Sequence, residues 1–320
     1  MVFHIFLDTS FVSTQLDHRT HIIIGHMNVR FYVNRQMEGL QIFSHAIGLP
    51  QLFKPYSAST LLPVDQHIRY MKEIHAGKPI YMVGGILEVG EDEAVIYQEL
   101  RHTVSDEPAA SFRTRVRHVE AKTLKGFPWS EATLERFERL RVYDPPEKTA
   151  PRSIDPSAPP LPDSEISSKI AEELGVRVIG RCAVPLQHCD IHGRMYPEFF
   201  IGRISDSVPN LLGPWRDEVT RSASTEDAPK RTGGAVLEFR MVFRRWPRAG
   251  DLIEVRSGLG EVKPKIHSLV HWLLDPATGK PWVTAQAYAV TFDLNTRKVI
   301  PANPEHMALL QKHTATGLRV

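Results

Sequence analysis

Two stretches of 33 residues decide how this chain is read: AGKPIYMVGGILEVGEDEAVIYQELRHTVSDEP at 76–108 and AGDLIEVRSGLGEVKPKIHSLVHWLLDPATGKP at 249–281. They align without a gap at a constant offset of 173 and share eight residues: Ala76/Ala249, Gly77/Gly250, Ile80/Ile253, Gly85/Gly258, Glu88/Glu261, Val89/Val262, Leu100/Leu273 and Pro108/Pro281. Pairing at ordinary residue frequencies gives about two matches over such a length. The excess marks an internal duplication. Both copies alternate apolar and polar residues with period two, which is strand patterning. The Ala76-Gly77-Lys78-Pro79 and Gly90-Glu91-Asp92-Glu93 steps read as hairpin turns. SFRTRVRHVEA (111–121) continues as a strand with Arg113, Arg115 and Arg117 on one face.

Outward from the repeat, the halves keep the same order. Gly25-His26-Met27-Asn28 leads into the amphipathic run VRFYVNRQMEGLQIFSHAIGL, and Gly193-Arg194-Met195-Tyr196 leads into PEFFIGRISDSVPNLLG. Helices at 128–142, with Ser130 as a plausible cap, and at 304–313 close the halves. Between them DPPEKTAPRSIDPSAPPLPDSEISS holds seven of the 24 prolines and no apolar periodicity, so it reads as a semi-rigid surface linker. The organisation expected is a first repeat over 1–143, a linker over 144–168 and a second repeat over 169–320. Each repeat is an α+β unit, a central helix followed by an antiparallel meander.

Composition narrows the function. At 320 residues the chain suits two domains, and 42% apolar with 24% charged residues is the balance of a globular protein with ample core. No apolar run approaches the roughly 18 residues of a membrane span. The opening MVFHIFLDTSFV has no basic start and no small-residue cleavage site, so a secretory signal is not expected. Lys plus Arg outnumber Asp plus Glu by 39 to 37, which gives no bulk field for nucleic acid or a membrane surface. The two cysteines, Cys182 and Cys189, make no disulfide framework. The 15 histidines lack a spacing such as His-Glu-x-x-His, and neither a Gly-x-Gly-x-x-Gly nor a Walker-type run occurs, which argues against metal and nucleotide-cofactor enzymes. A cytoplasmic, metal-free protein without a resident cofactor is expected.

A long apolar helix wrapped by an antiparallel sheet and approached through Gly25-His26-Met27-Asn28-Val29-Arg30-Phe31-Tyr32 resembles the hot-dog fold. The motif is similar to the Asp-x-x-Gly-His-Met-Asn stretch of acyl-CoA thioesterases related to 4-hydroxybenzoyl-CoA thioesterase. The resemblance covers both halves and implies a double hot-dog, an internal version of the dimer that single-domain relatives form; plant acyl-carrier-protein thioesterases are similar in having two fused repeats. It implies an acyl-CoA or acyl-carrier-protein substrate, with coenzyme A part of the substrate, and a monomer complete as an internal pseudo-dimer, or a homodimer. The family's catalytic Asp stands three residues before the Gly. The first half has Ile22 there; the second has Asp190 but replaces the His by Arg194 and follows Met195-Tyr196 with Pro197. One site, or one composite site, is therefore expected.

Thioester hydrolysis needs a base or nucleophile at the carbonyl carbon and donors for the oxyanion. An Asp before a helix can activate water or attack directly, and the helix N-terminus offers backbone donors and a positive dipole end. The candidates are Asp190 and Gly193, with His26 and Asn28, as the chemical set, and Gly25, His192, Arg194 and Tyr196 as substrate contacts. Arg113/Arg115/Arg117 and Arg244/Arg245/Arg248 are candidate partners of coenzyme A phosphates. Whether the His26/Asn28 loop lines the Asp190 pocket or a second, acid-free one stays open. So do two other functions, a non-catalytic acyl-thioester binder and a hot-dog hydratase or dehydratase. An assay of thiol release separates hydrolysis from both.

Overall fold

The computed structural model describes residues 3–7, 16–17, 22–23, 26–75, 77–222 and 232–320. Two compact units emerge, Met1–Pro151 with Cys189–Ile201, and Arg152–His188 with Gly202–Val320. In the first, β1 (Phe3–Leu7), the short pair β2 (Leu16–Asp17) and β3 (Ile22–Ile23), and α1 (Val29–Ala46) precede the meander. β4 (Ser59–Tyr70), β5 (Ile80–Val89), β6 (Glu93–His102) and β7 (Pro108–Glu120) follow, closed by α2 (Glu131–Arg139). The antiparallel order is β1-β5-β6-β7-β4. The second unit contains α3 (Ser168–Glu173), β8 (Arg177–Ala183) and most of α4 (Pro197–Ser222). Its meander is β9 (Thr232–Phe243), β10 (Leu252–Val262), β11 (His267–Leu274) and β12 (Pro281–Asp293), closed by α5 (Pro304–Lys312). Its order is β9-β12-β11-β10-β8. Each unit is a hot-dog repeat.

The offset of 173 found in 33 residues holds much further. Shifted by it, β4, β7 and α2 give the bounds of β9, β12 and α5 residue for residue. Irregularities shift with them. Register breaks begin at Ile86 in β5 and Leu259 in β10, and at Leu100 in β6 and Leu273 in β11. The skipped position between Pro63 and Asp65 recurs between Val236 and Glu238. A bulge re-aims every side chain beyond it, so its position is kept with the fold even where side chains diverge.

One turn reading is corrected. β4 pairs with β7, not β5, so Gly77-Lys78-Pro79 belongs to a crossover connection and not to a hairpin; Ala76 lies outside the described residues. Period-two patterning identifies a strand without naming its partner. Gly90–Glu93 is a hairpin turn, closed by Gly90 N–H donating to Glu93 O at 2.8 Å.

α1 buries Tyr32, Val33, Gln36, Met37, Leu40 and Phe43 along one stripe, the i, i+3, i+4 spacing of a core-facing helix. Part of what it covers is polar. Gln36 Nε2 donates to Gln98 Oε1 (2.7 Å), and Gln66 Nε2 donates to Gln36 Oε1 (3.0 Å) and Thr114 Oγ1 (3.1 Å), all four residues being buried. α4 runs beyond Gly213 and carries Pro209 and Pro214 inside it, where interior prolines usually stop a helix.

The proline-rich segment is no free tether. Thr149 is fully buried, sharing a hydrogen bond with Tyr97 Oη and accepting from Ser111 Oγ at its carbonyl. Farther on, Arg240 donates to the carbonyls of Asp155 and Ala158, Arg244 donates to that of Leu161, and Glu238 accepts from Arg152 N–H. Fixed proline φ angles keep the carbonyls extended and available, so side chains of the sheets sew the segment down.

Gly85 and Gly258, identical in the repeat, show why a strand glycine is required. A Cβ at Gly85 would lie 2.4 Å from Leu140 O and 2.5 Å from Val142 Cγ2; at Gly258 it would meet Leu318 Cδ2 at 2.9 Å and Ala315 Cβ at 3.2 Å. In both units the chain after the closing helix returns against this strand through a parallel bridge, Ile86↔Arg141 and Leu259↔Thr314. Gly85→Ala is therefore expected to cost about 1–3 kcal/mol as overpacking against backbone. Gly258→Ala, which meets a movable leucine tip, is expected to cost less. Thermal melts of the two variants check the order; equal melting temperatures would refute it.

Candidate functional site

The loop ahead of α4 is built around Asp190. Its Oδ1 accepts from the backbone N–H groups of His192 (2.8 Å) and Arg194 (2.9 Å), and its Oδ2 accepts from Arg194 Nε (3.0 Å) and Nη2 (2.9 Å). The backbone closes the same turn, with Asp190 N–H donating to Arg194 O and Gly193 N–H donating to Asp190 O. Gly193 takes φ +77°, a conformation that favours glycine. An ionised carboxylate has about four acceptor positions. Asp190 uses four within its own loop, and Arg194, only 3% exposed, is the cation that closes it.

All four contacts of the Asp190 carboxylate lie within its own loop, which they tie together. The same geometry places the other expected residues of this loop. The Gly193 N–H donates to Asp190 O within the turn. Arg194 turns Nε and Nη2 to Asp190 Oδ2, and its Nη1 is buried without a hydrogen-bond partner. His192 provides a backbone donor, and its imidazole is held below the usual histidine range by burial and then by Arg194. Tyr196 is partly buried, its phenol raised by burial first and by the nearby Asp190 and Glu198 charges second.

In the first half, Asn28 is the N-cap of α1, accepting Arg30 N–H at its Oδ1 (3.0 Å). His26 sits in an isolated bridge with His75, its Nδ1 3.2 Å from Met27 O. The Asp190 carboxylate bonds to neither His26 nor Asn28. Gly25 lies outside the described residues. The arginine stripes are engaged locally: Arg115 pairs with Glu88 and Arg117 with Asp92, both at 2.9 Å, and Arg113 lies over the Tyr97 ring. Arg244 pairs with Asp163 at 2.9 Å, and Arg245 lies over Trp282.

The structure adds residues that the motif did not name. Glu198, in the first turn of α4, is 6% exposed; its Oε1 accepts from Asn34 Nδ2 of α1 at 3.0 Å and its Oε2 is buried without a hydrogen-bond partner. Burial holds this carboxyl above the usual range, against the lowering effects of its own backbone N–H, Asn34, Arg30 and Arg35. Arg30, in the first turn of α1, spreads its guanidinium between the rings of Phe31 (4.7 Å) and Phe199 (5.4 Å). In sequence Glu198 looks like an ordinary first-turn acid, and only its burial distinguishes it. A cavity of 320 Å³ elsewhere in the first unit is lined by Tyr81, Tyr97, Glu99, Arg101 and Asp144 and shares no residue with this loop. Among the described residues no His/Cys/Asp/Glu cluster has metal-holding geometry, and no helix is long and apolar enough to cross a membrane.

A family model described as the thioesterase-like superfamily matches residues 14–137. No curated protein sequence matches the chain. Among solved structures, an acyl-ACP thioesterase from Bacteroides thetaiotaomicron is similar over 90% of this chain and 97% of its own, with 10% identity and a TM-score of 0.60. A 12:0-ACP thioesterase from Umbellularia californica is similar over 90% of this chain and 93% of its own, with 9% identity and a TM-score of 0.60. At such identities the likeness establishes the fold. With the thioesterase-like superfamily signature confined to residues 14–137 and the same element order repeated in the second half, the chain has a double hot-dog fold similar to that of these thioesterases.

Proposed function

We propose that this protein hydrolyses an acyl thioester, of coenzyme A or of an acyl carrier protein, to a carboxylic acid and a free thiol. The observation that carries the reading is the start of α4. A carboxylate-ordered loop delivers a long helix, positive end first, beside a buried carboxyl and an arginine. Such a place stabilises the negative charge that develops on a thioester oxygen during attack. The superfamily match and the double hot-dog fold support the same class of substrate. Full occupation of Asp190 favours one second reading, a protein that binds acyl thioesters without cleaving them.

Thiol release from a panel of acyl-CoAs of differing chain length, followed with a thiol reagent, separates the two. Turnover with at least one member is expected. Saturable binding without thiol release would establish the binder.

The loop staple predicts a second result. Removing one partner of a buried ion pair strands the other. Asp190→Asn leaves the buried Arg194 without its counter-charge and is expected to lower stability by on the order of 3 kcal/mol. Asp190→Asn with Arg194→Met is expected to recover part of that loss. Denaturant melts of the single and double variants measure the coupling; additive losses would show that the pair is not the staple.

A further inference from the structure

We propose that Glu198, and not Asp190, is the carboxyl that takes the proton from the attacking water, with Arg30 facing the thioester oxygen. The proposal rests on the hydrolase reading and names the group that performs it.

Three observations converge on Glu198. It is the carboxyl at the start of α4 with an oxygen left over: Asp190 spends its four acceptor positions in its own loop, whereas Glu198 Oε2 is buried and has no partner. A buried acceptor left unsatisfied costs about 1–3 kcal/mol, so a native structure that keeps one calls for a reason. Second, Asn34 fixes the other oxygen at 3.0 Å, which leaves Oε2 as the oriented, unpaired atom. Third, Arg30 breaks a local rule. A cation in the first turn of a helix opposes the helix dipole, and the first turn of α1 holds no acid to offset it. Its guanidinium forms no ion pair at contact distance among the described residues; it lies over the Phe31 and Phe199 rings, with the Glu198 carboxyl near enough to feel its charge. Residues that break a rule of their own helix and are compensated only from another element concentrate at functional sites. Arg30 and Glu198 occupy the same second position of their respective helices, so the duplication has put opposite charges at equivalent places.

The step balances with these groups alone. Glu198 Oε2 accepts a proton from water as the water oxygen bonds to the thioester carbon, and the negative charge moves onto the carbonyl oxygen opposite Arg30. The C–S bond then breaks, and the proton held by Glu198 passes to the departing sulfur. The products are a carboxylic acid and a thiol.

The test is Glu198→Gln in the full chain, assayed by thiol release on whichever acyl-CoA the wild type cleaves. Glutamine keeps an oxygen to accept from Asn34, so the fold has its bond. Because burial disfavours the charged carboxylate, the neutral variant is expected to melt at or above the wild-type temperature at pH 7. Its kcat is expected to fall at least about 10²-fold with KM little changed, the loss typical of a removed general base. A kcat within about threefold of wild type overturns the proposal.

A second measurement covers the case in which Glu198→Gln does not fold. The wild-type kcat/KM should rise with pH through an acid limb above the ordinary glutamate range. Arg30 and Arg35 of α1 oppose that upward shift, while Tyr196 of the loop is the neighbouring titratable phenol. Asn34→Leu removes a bond that favours the charged form, so the limb should move to higher pH; a limb that stays in place overturns the proposal. If the wild type releases no thiol from any acyl-CoA or acyl carrier protein, the hydrolase reading itself has failed. A wild type that turns over beside a fully active Glu198→Gln refutes only the assignment of the base.

Discussion

Register holds this structure together. In each unit the meander presents one face to the long helix, and a one-residue slip would send every core side chain to the other face. The bulges decide where that alternation resets, and they recur at equivalent places in the two units although only eight of 33 side chains agree in the best-matched stretch. Backbone geometry has thus been kept more closely than chemistry. Two units can share one scaffold while their side chains take up different work.

The difference is plain on both faces of the sheets. Beneath α1 the first unit holds Gln66, Gln98 and Thr114; the second has Phe239, His271 and Ala287 at those places, with His271 bonded to Ser257 Oγ at 2.6 Å. Burial pushes the His271 imidazole down to about 3, so it is neutral at physiological pH. On the outer face, Tyr97, Glu99 and Arg101 of the first unit line a cavity, whereas Val270, Trp272 and Leu274 of the second are buried beneath Ile166, Ala171 and Leu318. The proline-rich segment therefore has a structural task, since its Leu161 and Ile166 supply part of the cover that an apolar outer face requires.

Much of the fold was legible because it rests on periodicities and on identity between the halves. The offset located the strands, the Gly-basic-Met steps located the long helices, and Ser130 does cap α2 by accepting Thr133 N–H. Strand partners were not legible, because period two says which face is buried and nothing about the neighbour across the ladder. The end of α4 was hidden by Pro209 and Pro214, whose usual meaning is a break. The segment at 144–168 read as a surface linker because its fixing groups, Arg240, Arg244 and Glu238, lie 81 to 86 residues in sequence from the groups they hold.

The site was less legible, for a chemical reason. A motif records that an acid stands three residues before a glycine, but not how many donors surround that acid. At Asp190 the substitution of Arg194 for the family's histidine matters most. It converts a loop with a spare carboxylate into one whose carboxylate is bidentately held, and a guanidinium, which carries only donors, cannot relay a proton as an imidazole does. Once that pair has formed, hydrolysis needs a base from elsewhere. The nearest reversal of charge along the chain is Glu198, four residues on, where the first half carries Arg30 in the equivalent turn. An arginine that holds the loop acid and a glutamate that stays buried with a spare oxygen fit together as two halves of one arrangement, the one in which the proposed base stands in the first turn of the helix and not in the loop.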